Sequence, residues 1–211
     1  MFRIASGALV LAALVALCAL ALPRGLADLR AVEARMLFKS WETKRRQPAA
    51  EEWTLVRSLL QEARDLDPGQ PNYPEDIARL YQFRAQEDLR QALALQKQAA
   101  RLRPGSPYTW SNIALLKARL RETDSEFESA LRNAALLGPW EPEVQLALAE
   151  AGFRHWNTLG PETRAAMRGN ATRALRWQDA KLFTLARQTG RLDVLCALPG
   201  VQRSPLSRAC I

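Results

Sequence analysis

Apolar positions along the chain follow two rhythms. From Ile4 to Leu22 there is no charged residue, with Arg3 before the run and Arg24 after it. A helix rises about 1.5 Å per residue, so this run nearly matches a hydrocarbon core about 30 Å thick. Pro23 is expected to kink or end that helix. Beyond it, apolar residues recur at helical spacing and predict helices over 26–46, 50–66, 74–86, 87–102, 107–121, 124–137, 141–156, 161–177 and 178–189. Gly160 followed by Pro161-Glu162 is a helix start. The closing stretch PGVQRSPLSRACI predicts an irregular tail.

The second rhythm repeats. Pro68 and Pro71 are three apart, as are Pro104 and Pro107, and Pro139 and Pro142. Aligned on the first proline of each pair, Ala63, Ala99 and Ala134 share a column, and so do Leu66, Leu102 and Leu137. After the proline, Ile77, Ile113 and Leu148 form a third column and Ala78, Ala114 and Ala149 a fourth. A small residue lets a neighbouring helix approach, a proline stops the helix, and the second proline opens the next one where its missing N–H costs nothing. Each period is then a helical hairpin that buries its apolar face only by stacking on the next.

These columns resemble the tetratricopeptide repeat, with Trp110, Ile113 and Ala114 in first-helix positions and Pro104 closing the hairpin before them. Two copies are degenerate: Pro74 stands where Trp110 does, and Gln96 occupies a column held by Leu60 and Leu131. The resemblance implies an all-α fold, a short solenoid of helical hairpins behind an N-terminal signal-anchor or transmembrane helix. The expected divisions are 1–23 for the anchor, 24–160 for the repeats, 161–198 for a basic helical cap and 199–211 for the tail. First helices of such repeats line a concave face. Tyr73, Tyr108, Asn112 and Lys117 flank the packing columns and are expected to bind a partner there, with Trp140 exposed at a hairpin junction.

Composition agrees with helix throughout, since Ala, Leu, Arg, Glu and Gln dominate and Gly is sparse. The net charge of +8 matters through its distribution. Residues 24–163 balance, with 20 basic and 20 acidic side chains, whereas 164–211 hold nine basic and two acidic. Arg164, Arg168, Arg173 and Arg176 therefore form a candidate polyanion-binding set, for an acidic glycan or anionic lipid; nucleic acid fits less well if the body lies outside the cytoplasm. The apolar run admits two readings. One is a signal cleaved after Ala19-Leu20-Ala21; the other, an uncleaved anchor, accounts better for a run longer than the usual signal core of about 7–15 residues. Orientation also has two readings. Arg24, Arg30, Arg35 and Lys39 against Arg3 place the body in the cytoplasm by the basic-residue rule, while the short N-terminal region and the cysteines favour the opposite side.

Catalytic chemistry finds no foothold. His155 is the one histidine and sits at a helix end. There is no Cys-x-x-Cys, HExxH, glycine-rich phosphate loop or GxSxG, so neither enzyme activity nor a metal or other cofactor is expected. Cys196 and Cys210 flank the tail, either as free thiols or as a disulfide. A bond closing a loop of about 15 residues restricts the unfolded chain by about 3 kcal/mol in the entropy model, and would imply an oxidising compartment.

The apolar N-terminus, the degenerate repeats, the junction Leu137-Gly138-Pro139-Trp140-Glu141-Pro142 and the C-terminal cysteine together resemble the VpsP-type accessory proteins of bacterial exopolysaccharide clusters. That resemblance implies a scaffold, not a glycosyltransferase, in making or exporting surface polysaccharide. It would act through protein partners at the bacterial inner membrane, with a periplasmic body.

Overall fold

Pro23 does not end the first helix. In the computed structural model, which describes residues 2–82 and 88–210, α1 runs unbroken from Phe2 to Lys44. The proline removes one backbone donor, and nearby the Arg24 guanidinium donates to the Leu20 carbonyl at 3.3 Å. Packing explains why the helix continues: Ala27, Ala31, Ala34, Phe38 and Trp41 are buried, at alternating spacings of four and three. The alanines let α2 (Ala50–Leu66) lie close, and α2 answers with Trp53, Val56, Leu59, Leu60 and Ala63. Anchor and first hairpin helix are thus one rod, where two separate segments were expected. Its N-terminal part is apolar, long enough to cross a membrane, with a mean hydropathy of 2.1, and almost uncovered by the chain.

The described residues are helices and turns, with no strand among them, and they fall into two compact units, Met1–Glu87 and Asp88–Ile211. The boundary between the two units falls within 24–160. The expected helix end at 86 and start at 87 lie outside the described residues. The first unit adds α3 (Asn72–Gln82), whose Tyr73, Ile77, Ala78 and Leu80 are buried. Asp76 of α3 meets Arg35 of α1 at 2.7 Å.

The second unit is a stack of hairpins: α4 (Leu89–Leu102), α5 (Pro107–Leu120), α6 (Ser125–Leu137), α7 (Pro142–Arg154), α8 (Pro161–Ala174) and α9 (Asp179–Gln188). Proline opens α5, α7 and α8, and the Ser106 and Asp124 side chains accept from the backbone N–H groups of Thr109 and Phe127 at the starts of α5 and α6. α5 packs on α4, α6 and α7, while α7 packs on α8 and α9. The alanine and Ile/Leu columns are core: Ala99, Ala134, Ile113, Ala114, Leu148 and Ala149 are all buried. The leucine column is not, since Leu102 and Leu137 end their helices facing outward.

Two expectations near the C-terminus are corrected. α7 stops at Arg154, and 156–158 form a separate 3-10 turn. His155 at the break turns its Nε2 to within 2.9 Å of the Ala118 carbonyl and its ring edge towards Phe127. Beyond α9, α10 (Leu192–Cys196) adds a short helix within 161–198, and the stretch expected as an irregular tail forms 3-10 turns at Val201–Arg203 and Ser207–Cys210. Cys196 and Cys210 form a disulfide, and Leu198 and Val201 are buried beneath it.

Candidate docking groove of the second unit

The first helices of successive hairpins, α5, α7 and α9, lie side by side. Each points one apolar side inward: Ile113, Ala114 and Leu116 on α5, Leu148 and Ala149 on α7, and Leu182, Phe183 and Ala186 on α9. Each also carries apolar residues that the core does not use. Leu115, Leu146, Ala147 and Leu185 come together as the floor of an open groove of about 560 Å³, with Ala180 and Thr184 beside them. Its charged members are Glu150, whose Oε1 accepts from Arg154 at 3.3 Å, and Lys181. A floor of leucines with one charge of each sign is the chemistry of an amphipathic peptide site.

Only part of the expected partner-binding set belongs near this face. Asn112 is half-buried and lies one turn before Leu115 on α5. Tyr108 is exposed, and its hydroxyl donates to the Glu141 carboxylate, which pushes the phenol upward. Trp140 is 61 % exposed, on a turn whose Pro139 carbonyl accepts from both Gln145 (2.8 Å) and Arg173 (3.0 Å).

Tyr73 and Lys117 are buried and bonded within the chain. Tyr73 belongs to the first unit, where it is buried and donates to Asp28 at 2.9 Å. Burial, helped by that carboxylate, pushes its phenol up to about 12. Lys117 is 2 % exposed, with Nζ at 2.9 Å from both Asp124 and Glu126 and 3.4 Å from Glu122. Burial by itself would lower this ammonium, but hydrogen bonds to Glu126 and Asp124 outweigh it and hold the group above its ordinary value. The lysine clamps the turn between α5 and α6. Those carboxylates are occupied, and among the described residues no cluster of His, Cys, Asp or Glu is arranged to hold a metal.

The four arginines do not form one surface either. Arg164 donates to the carbonyls of Trp156 (3.2 Å) and Asn157 (3.1 Å), tying α8 to the turn before it. Arg173 binds the Pro139 carbonyl, and burial lowers its guanidinium below the ordinary value. Arg168 lies 5.5 Å over the Trp156 ring. Neither the Arg168 nor the Arg176 guanidinium has a hydrogen-bond or ion-pair partner among the described residues, and both residues are exposed.

The groove leucines were readable as a surplus. Once the core columns are assigned, Leu115, Leu146 and Leu185 remain as apolar residues on the other side of helices that should be polar there. Compared with known proteins, the chain matches no family model and no curated protein.

Proposed function

We propose that this chain is a membrane-tethered helical-repeat scaffold, without catalytic activity, that docks an amphipathic peptide segment of a partner protein in the groove of α5, α7 and α9. The observation that carries the reading is the leucine floor itself: Leu115, Leu146 and Leu185, from three successive first helices, line one open groove and are only partly covered by the chain. The apolar N-terminal half of α1 would hold the scaffold at a membrane. The Cys196–Cys210 disulfide favours a body in an oxidising compartment, the periplasm if the source is bacterial. The resemblance of its junction and repeats to exopolysaccharide accessory proteins suggests partners from a surface-polysaccharide assembly at the inner membrane.

Photo-crosslinking in native membranes tests this. A photoreactive residue at Leu146 or Leu185 should give one defined adduct, identified by mass spectrometry. The same probe at Leu136, 78 % exposed on α6, should not. Leu185→Glu should abolish the Leu146 adduct. Equal adducts at all three positions, or none in the groove, would overturn the docking reading. A glycosyltransferase or export protein as the adduct supports the polysaccharide context; a partner from an unrelated process removes it.

A further inference from the structure

The second unit has another opening, lined by residues other than those of the groove, that the docking reading does not use. One wall is the end of α8 and the turn into α9, with Arg176 and Trp177; the other is the tail from Pro199 to Pro205, with Arg203. Together they enclose about 600 Å³, within the range of small-ligand sites.

Several features set this cleft apart from an ordinary solvated surface. Trp177 is 76 % exposed, although an indole exposed to that degree gains nothing from the core. Arg176 and Arg203 are exposed, and among the described residues neither guanidinium has an ion-pair or hydrogen-bond partner. This contrasts with Arg164 and Arg173, which are spent on backbone carbonyls of the same unit. The tail wall is also held in place. Ser204 donates to Asp179 Oδ2 at 2.8 Å and accepts from the Leu206 backbone at 3.1 Å. Val201 and Leu198 are buried beneath it, and the Cys196–Cys210 bond closes the segment. Gly200, at φ +86°, makes a left-handed turn at the start of this wall.

From this arrangement we infer that the cleft binds an acidic saccharide, with the indole of Trp177 as stacking platform and the guanidiniums of Arg176 and Arg203 as carboxylate ligands. A flat indole fits the C–H face of a sugar ring, and a guanidinium fork fits a carboxylate bidentately. Asp179 and Ser204, bonded to each other, tie the tail wall to the start of α9. Two free cations are few for a surface that must track a polyanionic backbone, which argues against a phosphodiester chain. The inference is independent of the peptide groove.

The test is calorimetry on the full-length, detergent-solubilised, oxidised protein with a uronic-acid tetrasaccharide and its carboxyl-reduced counterpart. The uronate should bind, and the reduced sugar should bind at least tenfold more weakly. Trp177→Ala and Arg203→Ala should each weaken uronate binding at least tenfold, while Trp177→Phe keeps most of it. Two changes should leave it unaltered: Arg187→Ala, at an exposed arginine of α9 outside the cleft, and Leu185→Glu, in the peptide groove. The assignment falls if the uronate does not bind, if the reduced sugar binds equally, or if Arg187→Ala loses as much as Arg203→Ala. It falls also if a single-stranded oligonucleotide of equal charge binds more tightly than the uronate. Circular dichroism of each variant separates a lost site from a lost fold, with Trp177→Phe as the variant that preserves the ring.

Discussion

Replacing Lys117 by methionine keeps the length and apolar stem of the side chain and removes only its charge. In the native turn that charge meets Asp124 and Glu126 at 2.9 Å and Glu122 at 3.4 Å, and the lysine itself is 2 % exposed. Breaking a fully buried ion pair costs about 3–5 kcal/mol. The discount here comes from the acids, whose side chains are 31 %, 55 % and 41 % exposed for Glu122, Asp124 and Glu126, so water screens what remains. Asp124 also keeps its hydrogen bond from the Phe127 backbone and continues to cap α6. A loss of about 2–3 kcal/mol follows, between the exposed and buried limits. For a unit of this size that corresponds to a fall in Tm of roughly 10 °C. The assay is thermal and urea unfolding of the solubilised protein, followed by circular dichroism, for Lys117→Met, Glu126→Gln and the double variant. Glu126→Gln should cost less in the methionine background than in the wild type, because one repelling charge is removed there. Stability within about 0.5 kcal/mol of wild type for Lys117→Met, an effect no larger than an ordinary surface substitution, would refute the clamp. So would equal effects of Glu126→Gln in both backgrounds.

The same turn sets a pH dependence. Backbone hydrogen bonding from Phe127, then Lys117, holds Asp124 below its ordinary 3.8, and Lys97 and Lys117 overcome burial to hold Glu126 below 4.5. Depressed carboxylates stabilise the fold above those ordinary values and lose that contribution as pH falls through the lowered ones. Lys117, which is raised, contributes below 10.5 and loses its contribution as pH rises through its folded value. Unfolding measured from neutral pH downwards should therefore show an acid loss that is smaller in Lys117→Met, and an unchanged slope in that variant would count against the assignment. At the α6–α7 junction, a Cβ on Gly138 would lie 2.6 Å from the Cβ of Pro107. Since a proline ring cannot rotate away, Gly138→Ala should cost about 1–3 kcal/mol as overpacking does. Gly105→Ala, where a Cβ meets nothing within 4 Å, should cost far less in the same unfolding assay.

The long apolar N-terminal helix, the helical class and the hairpin period were all legible in the sequence, because each rests on local spacing. An uncharged run as long as a bilayer, prolines at helix starts and Ala columns need no knowledge of what lies across the fold. Pro23 shows where local reasoning stops. A proline removes one hydrogen bond, but the burial of Ala27, Ala31, Ala34, Phe38 and Trp41 against α2 carries the helix through it, and that burial is a tertiary quantity. Tyr73, Lys117, Arg164 and Arg173 make the same point for the candidate sites. Each reads as an available polar side chain, yet their partners stand at Asp28, Asp124 and Glu126, Trp156 and Pro139, which only folding brings within reach. In the other direction, Leu115, Leu146 and Leu185 stand outside the repeat columns yet come together in one groove, while Trp177 and Arg203, 26 residues apart, line one cleft. Spacing along a helix fixes which side a residue takes. Whether that side meets a neighbour, a charge or water depends on which helices are stacked beside it, and that is decided by the packing of the whole unit.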